Sequence, residues 1–205
     1  MDPREFPTKG NLIAAKNSLT LAKQGYDLMD KKRNILIREL MDLIDEAKDI
    51  QEEIDTTFTR AYACLQRANI QHGISKVEEL AYTVPIEDSI RIQTRSIMGT
   101  EIPKLKYEKE NTRPTYAFST SRESIDIARD AFCRVKELTL KLSEVENAAY
   151  RLASSIKKTQ KRANALKNIT IPMYDNLVYT ITNALEEKER EEFTRLKVIK
   201  RMKNK

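Results

Sequence analysis

Residues 12–43, LIAAKNSLTLAKQGYDLMDKKRNILIRELMDL, carry the pattern on which the fold turns. Stepping by three and four from Leu12 gives Ala15, Leu19, Ala22, Tyr26, Met29, Arg33, Leu36, Leu40 and Leu43. The same track continues through Ala47, Ile50, Ile54, Thr57, Ala61, Cys64, Ala68 and Gln71, and only Arg33, Thr57 and Gln71 break it. A 3.5-residue apolar repeat held over so many turns is what a coiled-coil seam requires. A helix from Thr8 to His72 would be about 95 Å long at 1.5 Å per residue. Gly73 follows it and suits the left-handed stop just past a helix end.

Outward from this track, the prolines give the plan. Pro3, Pro7, Pro85, Pro103, Pro114 and Pro172 leave two long stretches free of the strongest helix breaker, Thr8–Val84 and Thr115–Ile171. Thr120-Ser121-Arg122-Glu123 fits a capping box, with Thr120 as cap and Glu123 reaching back. A second seam follows at Ala131, Val135, Leu138, Leu142, Val145, Ala149, Leu152, Ile156, Thr159, Ala163 and Leu166. Pro172 is expected to kink or interrupt that helix, because it deletes a backbone bond and crowds the preceding turn. Helical spacing then resumes through Leu177, Ile181, Ala184, Leu185, Leu196 and Ile199, supported by the i,i+4 pairs Glu186–Arg190 and Glu191–Arg195.

Between the seams the pattern changes. Ile74–Tyr82 reads as a short helix. Ser89–Ser96 alternates through Ile90 and Ile92, Gly99 offers a turn, and Ile102–Glu108 alternates through Leu105 and Tyr107, so a β-hairpin is expected with Pro103 confining the second strand to an edge. The expected class is mainly α: a long antiparallel two-helix coiled coil with a small inserted β-hairpin and short helix at its far end. The expected divisions are 1–72 for the first long helix, 73–119 for the insert and 120–205 for the second long helix.

Composition agrees with a seam rather than a thick core. The chain of 205 residues is 33% charged and 40% hydrophobic, with four glycines and no tryptophan, the profile of long helices. Its net charge of +6 points to a partner with acidic surface. Cys64 and Cys133 are too few for a disulfide framework or a thiolate metal site. His72 is the single histidine, which leaves neither a metal set nor an imidazole-based nucleophile mechanism. Gly10, Gly25, Gly73 and Gly99 are too scattered for a phosphate loop. Met1–Gly10 is polar and no apolar run approaches the roughly 20 residues that span a bilayer, so a soluble cytosolic protein is expected. No catalytic residue, cofactor or metal is expected.

Three segments go beyond a generic coil. Pro7-Thr8-Lys9-Gly10-Asn11-Leu12, Arg162-Ala163-Asn164-Ala165-Leu166-Lys167-Asn168-Ile169 with Ile171-Pro172, and Glu187-Lys188-Glu189-Arg190-Glu191-Glu192-Phe193 with Arg195-Leu196-Lys197 resemble, in that order, the opening, the most recognisable segment and the C-terminal part of the D subunit of V-type and archaeal-type (V/A-type) rotary ATPases. The resemblance implies a non-catalytic central rotor shaft at the cytoplasmic face of a membrane-bound complex. It implies that the paired N- and C-terminal helices enter the catalytic hexamer, with its catalytic and regulatory stator subunits. The insert end then faces the subunit that caps the membrane rotor ring, and the small F subunit of the stalk binds the side of the coil.

On that reading Lys9, Lys16, Arg190, Arg195, Lys197, Lys200 and Arg201 face the stator, with Lys203 and Lys205 completing a basic tip. Ile90, Ile92, Ile97, Leu105 and Tyr107 face a partner of the insert or form the hairpin's own small core. Two rivals remain at this point. A basic coiled coil that binds nucleic acid predicts steep salt dependence, and a homodimeric tethering coil predicts seams that pair between chains. Against the first, basic residues interleave with acids along both helices and no tract combines them with aromatic stacking platforms.

Overall fold

The computed structural model describes residues 6–84, 88–107, 116 and 122–203. The protein is mainly α with a small antiparallel two-stranded sheet. Its elements are α1 (Lys9–His72), α2 (Ile74–Ala81), β1 (Arg91–Ile97), β2 (Thr100–Lys106), α3 (Glu123–Ala165), a π turn (Leu166–Thr170) and α4 (Ile171–Lys203). Among the described residues no helix is long and apolar enough to cross a membrane. No group of three or more His, Cys, Asp or Glu side chains is placed among them to hold a metal.

α1 starts where a side chain can satisfy its first amides. The Thr8 hydroxyl accepts from the Asn11 N–H at 3.2 Å, the Thr8 carbonyl accepts from Leu12 N–H at 3.0 Å, and the Asn11 amide donates to the Phe6 carbonyl at 2.9 Å. Thr8 is therefore an N-cap, with Asn11 in the position that Glu or Gln takes in a capping box. The helix ends at His72, and Gly73 has φ +82°, a conformation that a side chain disfavours. Thr120 and Ser121 of the expected second capping box lie outside the described residues; α3 starts at Glu123.

The two seams lie where the spacing puts them. Every position of the α1 track except Gln71 is buried or half-buried, and so is every position of the second track from Ala131 to Leu166. Arg33 keeps its place on the track by pairing with Asp30 at 2.6 Å. Thr57 gives its hydroxyl proton to the Glu53 carbonyl at 2.6 Å. The two covered breaks in the apolar pattern are thus satisfied locally, at little cost in burial, and the third, Gln71, is exposed.

The chain falls into two compact units. One comprises residues 35–155. Its core is built from Leu36, Ile54, Ala61 and Ala68 of α1 with Ile125, Ala128, Val135, Leu138, Val145, Ala148 and Leu152 of α3. Leu36, Leu138 and Leu152 are the largest side chains in it that are fully buried. Alanines are interspersed with larger residues in this core, and their small side chains let two backbones approach closely without a void. Antiparallel pairing is fixed by the Tyr62 and Phe132 rings, edge to face at 5.7 Å, and by Arg134 on Glu53 at 2.7 Å. The Glu53 carboxylate holds the Arg134 guanidinium above its ordinary pKa.

The same unit contains the hairpin. Met98 and Gly99 form a two-residue turn with φ +48° and +74°, the doubly left-handed geometry that matches strand twist. Ile97 and Thr100 close the ladder, followed by the facing pairs Ser96–Glu101, Arg95–Ile102, Thr94–Pro103, Gln93–Lys104, Ile92–Leu105 and Arg91–Lys106. In an antiparallel pair alternate partners exchange backbone bonds. Counting from the closing pair, Thr94 and Pro103 fall in a non-bonded position. The missing N–H of Pro103 therefore faces away from β1, and the ladder loses nothing.

The other unit comprises residues 1–34 and 156–205. Here the start of α1 lies beside α4: Lys23 pairs with Asp175 at 3.6 Å and Lys9 with Glu189 at 3.5 Å. A Cβ placed on Gly25 would meet the Leu166 side chain at 3.7 Å, an ordinary contact. The core residues are Ala15, Ala22, Ala163, Ile181 and Thr159. The expected disturbance at Pro172 takes the form of the π turn directly before it. Ile171 N–H reaches back five residues to the Leu166 carbonyl, and the Thr170 hydroxyl donates to the Ala165 carbonyl at 3.4 Å.

Candidate interaction surfaces

Two surfaces stand out as without cover among the described residues. The first is the end of α4. Because α1 begins at Lys9 and Lys9 lies against Glu189, the last turns of α4 have no described neighbour, and every residue from Glu186 to Lys203 is exposed. That tract carries Phe193 (68% exposed), Leu196 (65%), Val198, Ile199 and Met202. A single helix of this length is marginal in water by itself, and its bare apolar residues contribute nothing to stability until something covers them. Leu196 and Ile199 continue the helical spacing read from sequence, but α1 starts at Lys9, level with Glu189, and does not reach them.

The expected stator-facing cations divide into two sets. Arg190 and Arg195 fold back onto Glu186 and Glu191 at 3.8 and 3.7 Å, while Lys9 takes Glu189. Lys16, Lys197, Lys200 and Arg201 are exposed and form no ion pair among the described residues. Lys205 of the expected tip lies outside the described residues. Pro172 is exposed on the first turn of α4.

The second surface is the hairpin, whose β2 edge is held by α3. The Leu105 N–H donates to the Glu144 carboxylate at 3.0 Å, Arg151 donates to the Glu101 carbonyl at 3.3 Å, and the Thr100 and Ser155 hydroxyls meet at 2.8 Å. Tyr107 lies under the Lys136 ammonium at 5.2 Å. The hairpin thus runs back along α3, its tip toward Ser155 and its base toward Lys136. Of the five expected hairpin residues, Ile90, Ile97, Leu105 and Tyr107 are half-buried, whereas Ile92 is 72% exposed. Ile102, absent from that expectation, is the hairpin residue buried most deeply, at 7% exposure.

Tyr116 also escaped the sequence reading. It packs with Ala68, Ile125 and Leu80, donates its phenolic proton to Asp126 and lies beside the Arg129 guanidinium. Burial, with Asp126 beside it, pushes the Tyr116 hydroxyl above its ordinary pKa. The pair of aromatics Tyr116 and Phe118 in a polar stretch was the available signal. Cys64 and Cys133 are half-buried free thiols, and His72 is half-buried.

Long helical seams, an exposed amphipathic helix end and a hairpin anchored by one edge together define a class: an α-helical coiled-coil protein with exposed apolar and cationic surfaces. The family model for the ATP synthase D subunit matches residues 11–201. The chain is 45% identical over 194 residues to the V-type ATP synthase D subunit of Thermotoga neapolitana, covering 95% of this chain and 96% of that protein. It is 35% identical over 197 residues to the A-type ATP synthase D subunits of Thermococcus kodakarensis and of Pyrococcus horikoshii, covering 95% of this chain and 92% of each. The chain belongs to the family of ATP synthase D subunits.

Proposed function

We propose that this chain is the central rotor shaft of a V/A-type rotary ATPase, a non-catalytic subunit carrying torque between the nucleotide-binding hexamer and the membrane ion-translocating ring. One observation carries the reading beyond family membership: the tract Glu186–Lys203 is helical, apolar in part, and covered by nothing among the described residues. Such an end is suited to a surrounding sleeve, where Phe193, Leu196, Ile199 and Met202 would be shielded from water and Lys197, Lys200 and Arg201 would meet acidic groups of the catalytic and regulatory subunits. Lys9, Lys16, Arg190 and Arg195 belong to the same zone.

Torque needs stiffness, and the two seams supply it by coupling each long helix to a neighbour over many turns. Rotation is informative to three equivalent stator interfaces only when the shaft is asymmetric. A bare α4 end beyond the start of α1, together with the π turn before Pro172, provides that asymmetry. Hairpin residues Ile90, Ile92, Ile97, Leu105 and Tyr107 lie in the region assigned to the ring-capping side of the assembly. The small F subunit of the stalk is assigned to the coil's flank, and the whole to the cytoplasmic face of the membrane.

Tagging the chain in its native cells, solubilising membranes gently and identifying co-purifying proteins tests the reading. Nucleotide-binding subunits and a ring-capping subunit in stoichiometric amounts are expected. Recovery of the chain alone, or with nucleic acid that high salt strips off, would sink it.

A further inference from the structure

The hairpin carries a charge pattern that no ion pair among the described residues neutralises. Arg91 stands opposite Lys106 and Gln93 opposite Lys104, while Arg95 lies on the same face opposite Ile102. These positions share one side of the sheet, because directly facing residues point the same way and the side-chain period is two. Four cations thus occupy one face of a two-stranded sheet, and none forms an ion pair among the described residues. Several cations of the helices, by contrast, are paired: Lys23 with Asp175, Arg33 with Asp30, Lys48 with Asp45 and Arg134 with Glu53. Like charges directly opposite weaken a sheet, so the Arg91–Lys106 pair costs stability in the isolated chain.

A second observation sits beside the first. β2 has its outer edge held by Glu144 and Arg151, and Pro103 offers no N–H there. Among the described residues β1 has no such cover. By the same alternation the N–H and C=O groups of Ile92, Thr94 and Ser96 point outward, and no hydrogen bond is made to them among the described residues. All of β1 except Ile97 is exposed. An extended polypeptide presents donors and acceptors at the spacing of such an edge. Arg91 and Arg95 repel a second β1, which protects against pairing of two copies. An extended segment rich in Asp and Glu meets the opposite sign along the same edge.

We infer that β1 receives an acidic extended segment of another subunit as a third strand, its carboxylates meeting Arg91, Arg95, Lys104 and Lys106. The inference rests on the rotor reading, since it takes its partner from the same assembly. Association is then both electrostatic and backbone-directed: the cations select the segment, and the free edge fixes its register.

The test uses the complex purified from native membranes, its composition checked first. Treatment with a carbodiimide joins a lysine amine to a carboxylate it touches, with no spacer. Expected are links from Lys104 or Lys106 to Asp or Glu within one extended stretch of another subunit. Two variants then separate contact from folding. Thr94→Pro removes an outward N–H while sparing the β1–β2 ladder, as Pro103 does on the other strand. R91E/R95E places Glu opposite Lys106, which tightens the hairpin while repelling an acidic partner. Both are expected to abolish those links and leave links from other lysines unchanged. A complete complex without such links, links that survive both variants, or links to a second copy of this chain or to lipid would overturn the inference. A chain that recovers no partner subunits at all defeats the rotor reading first, and the composition check distinguishes that result.

Discussion

Residues around Leu152 and residues around Leu196 look alike in sequence and behave oppositely in the structure. Both lie on long helices with apolar residues three and four apart amid charges. Leu152 is fully buried, with Ala148 and Val145 beside it in the same seam, whereas Leu196 is 65% exposed in a tract with no covered residue. The difference is not in helix propensity or periodicity. It lies in whether an antiparallel neighbour is still present among the described residues, and α1, starting at Lys9 beside Glu189, does not extend along the end of α4. Amphipathic spacing therefore marks a surface that needs a partner without saying whether that partner is in the same chain.

Substitutions can break or sharpen this contrast. Leu152→Ala should destabilise the isolated chain by about 2–5 kcal/mol, since it removes buried area and leaves a cavity, with a clear fall in thermal midpoint by circular dichroism. Leu196→Ala in the same assay should move stability by less than about 0.5 kcal/mol, yet weaken assembly with the hexamer. Equal loss of stability in the two variants would mean that the end of α4 is covered within the chain after all.

A smaller effect is expected at the insert. Tyr116→Phe deletes the hydroxyl that donates to Asp126 and should cost about 1 kcal/mol. The pH dependence has a definite sign. With the folded-state pKa raised above 10.0, the contribution is fully present below the unfolded value and is lost as pH rises through the folded one. Wild-type chain should lose stability above pH 10 more steeply than Tyr116→Phe, measured by denaturant unfolding across that window.

Met98 offers a change of opposite direction. Its left-handed backbone costs a non-glycine residue about 1 kcal/mol, less for Asn, so Met98→Asn should raise the hairpin's stability by a few tenths of a kcal/mol to about 1, read by amide exchange of the β1–β2 ladder. Least affected in the isolated chain is the triple neutralisation of Lys197, Lys200 and Arg201 to Gln, because these side chains are exposed and unpaired among the described residues. Its expected consequence is confined to the complex, as weaker assembly or looser coupling of ATP hydrolysis to pumping. Unchanged ATPase activity and pumping would remove these residues from the stator contact.

Much of the architecture was legible because a seam writes itself into sequence. The α1 track, the stop at Gly73, the short helix after it and the hairpin around Gly99 all follow from periodicity and turn chemistry. Thr8 as an N-cap was readable from Thr-x-x-Asn, a weaker variant of the usual box. What could not be read depended on contacts between distant segments. Nothing local in Glu144 or Arg151 says that they hold the edge of β2, and nothing around Tyr116 announces its bond to Asp126. The bare state of α4 depended on where α1 starts relative to Glu189, a register that neither helix encodes alone.

The π turn at Leu166–Thr170 has a further effect on direction. Across it the covered positions include Ala163, Leu166, Thr170, Ile171, Tyr174, Leu177 and Ile181. The bond that closes the turn spans five residues where those of an α-helix span four. One residue more or fewer in a regular helix turns everything downstream by about 100° around the axis, so the direction in which α4 presents its faces depends on this turn. The azimuth of the uncovered tip is therefore indexed there: deleting the exposed Ile169 or adding a residue beside it would re-aim Arg195, Leu196 and Lys200 together without altering any of them.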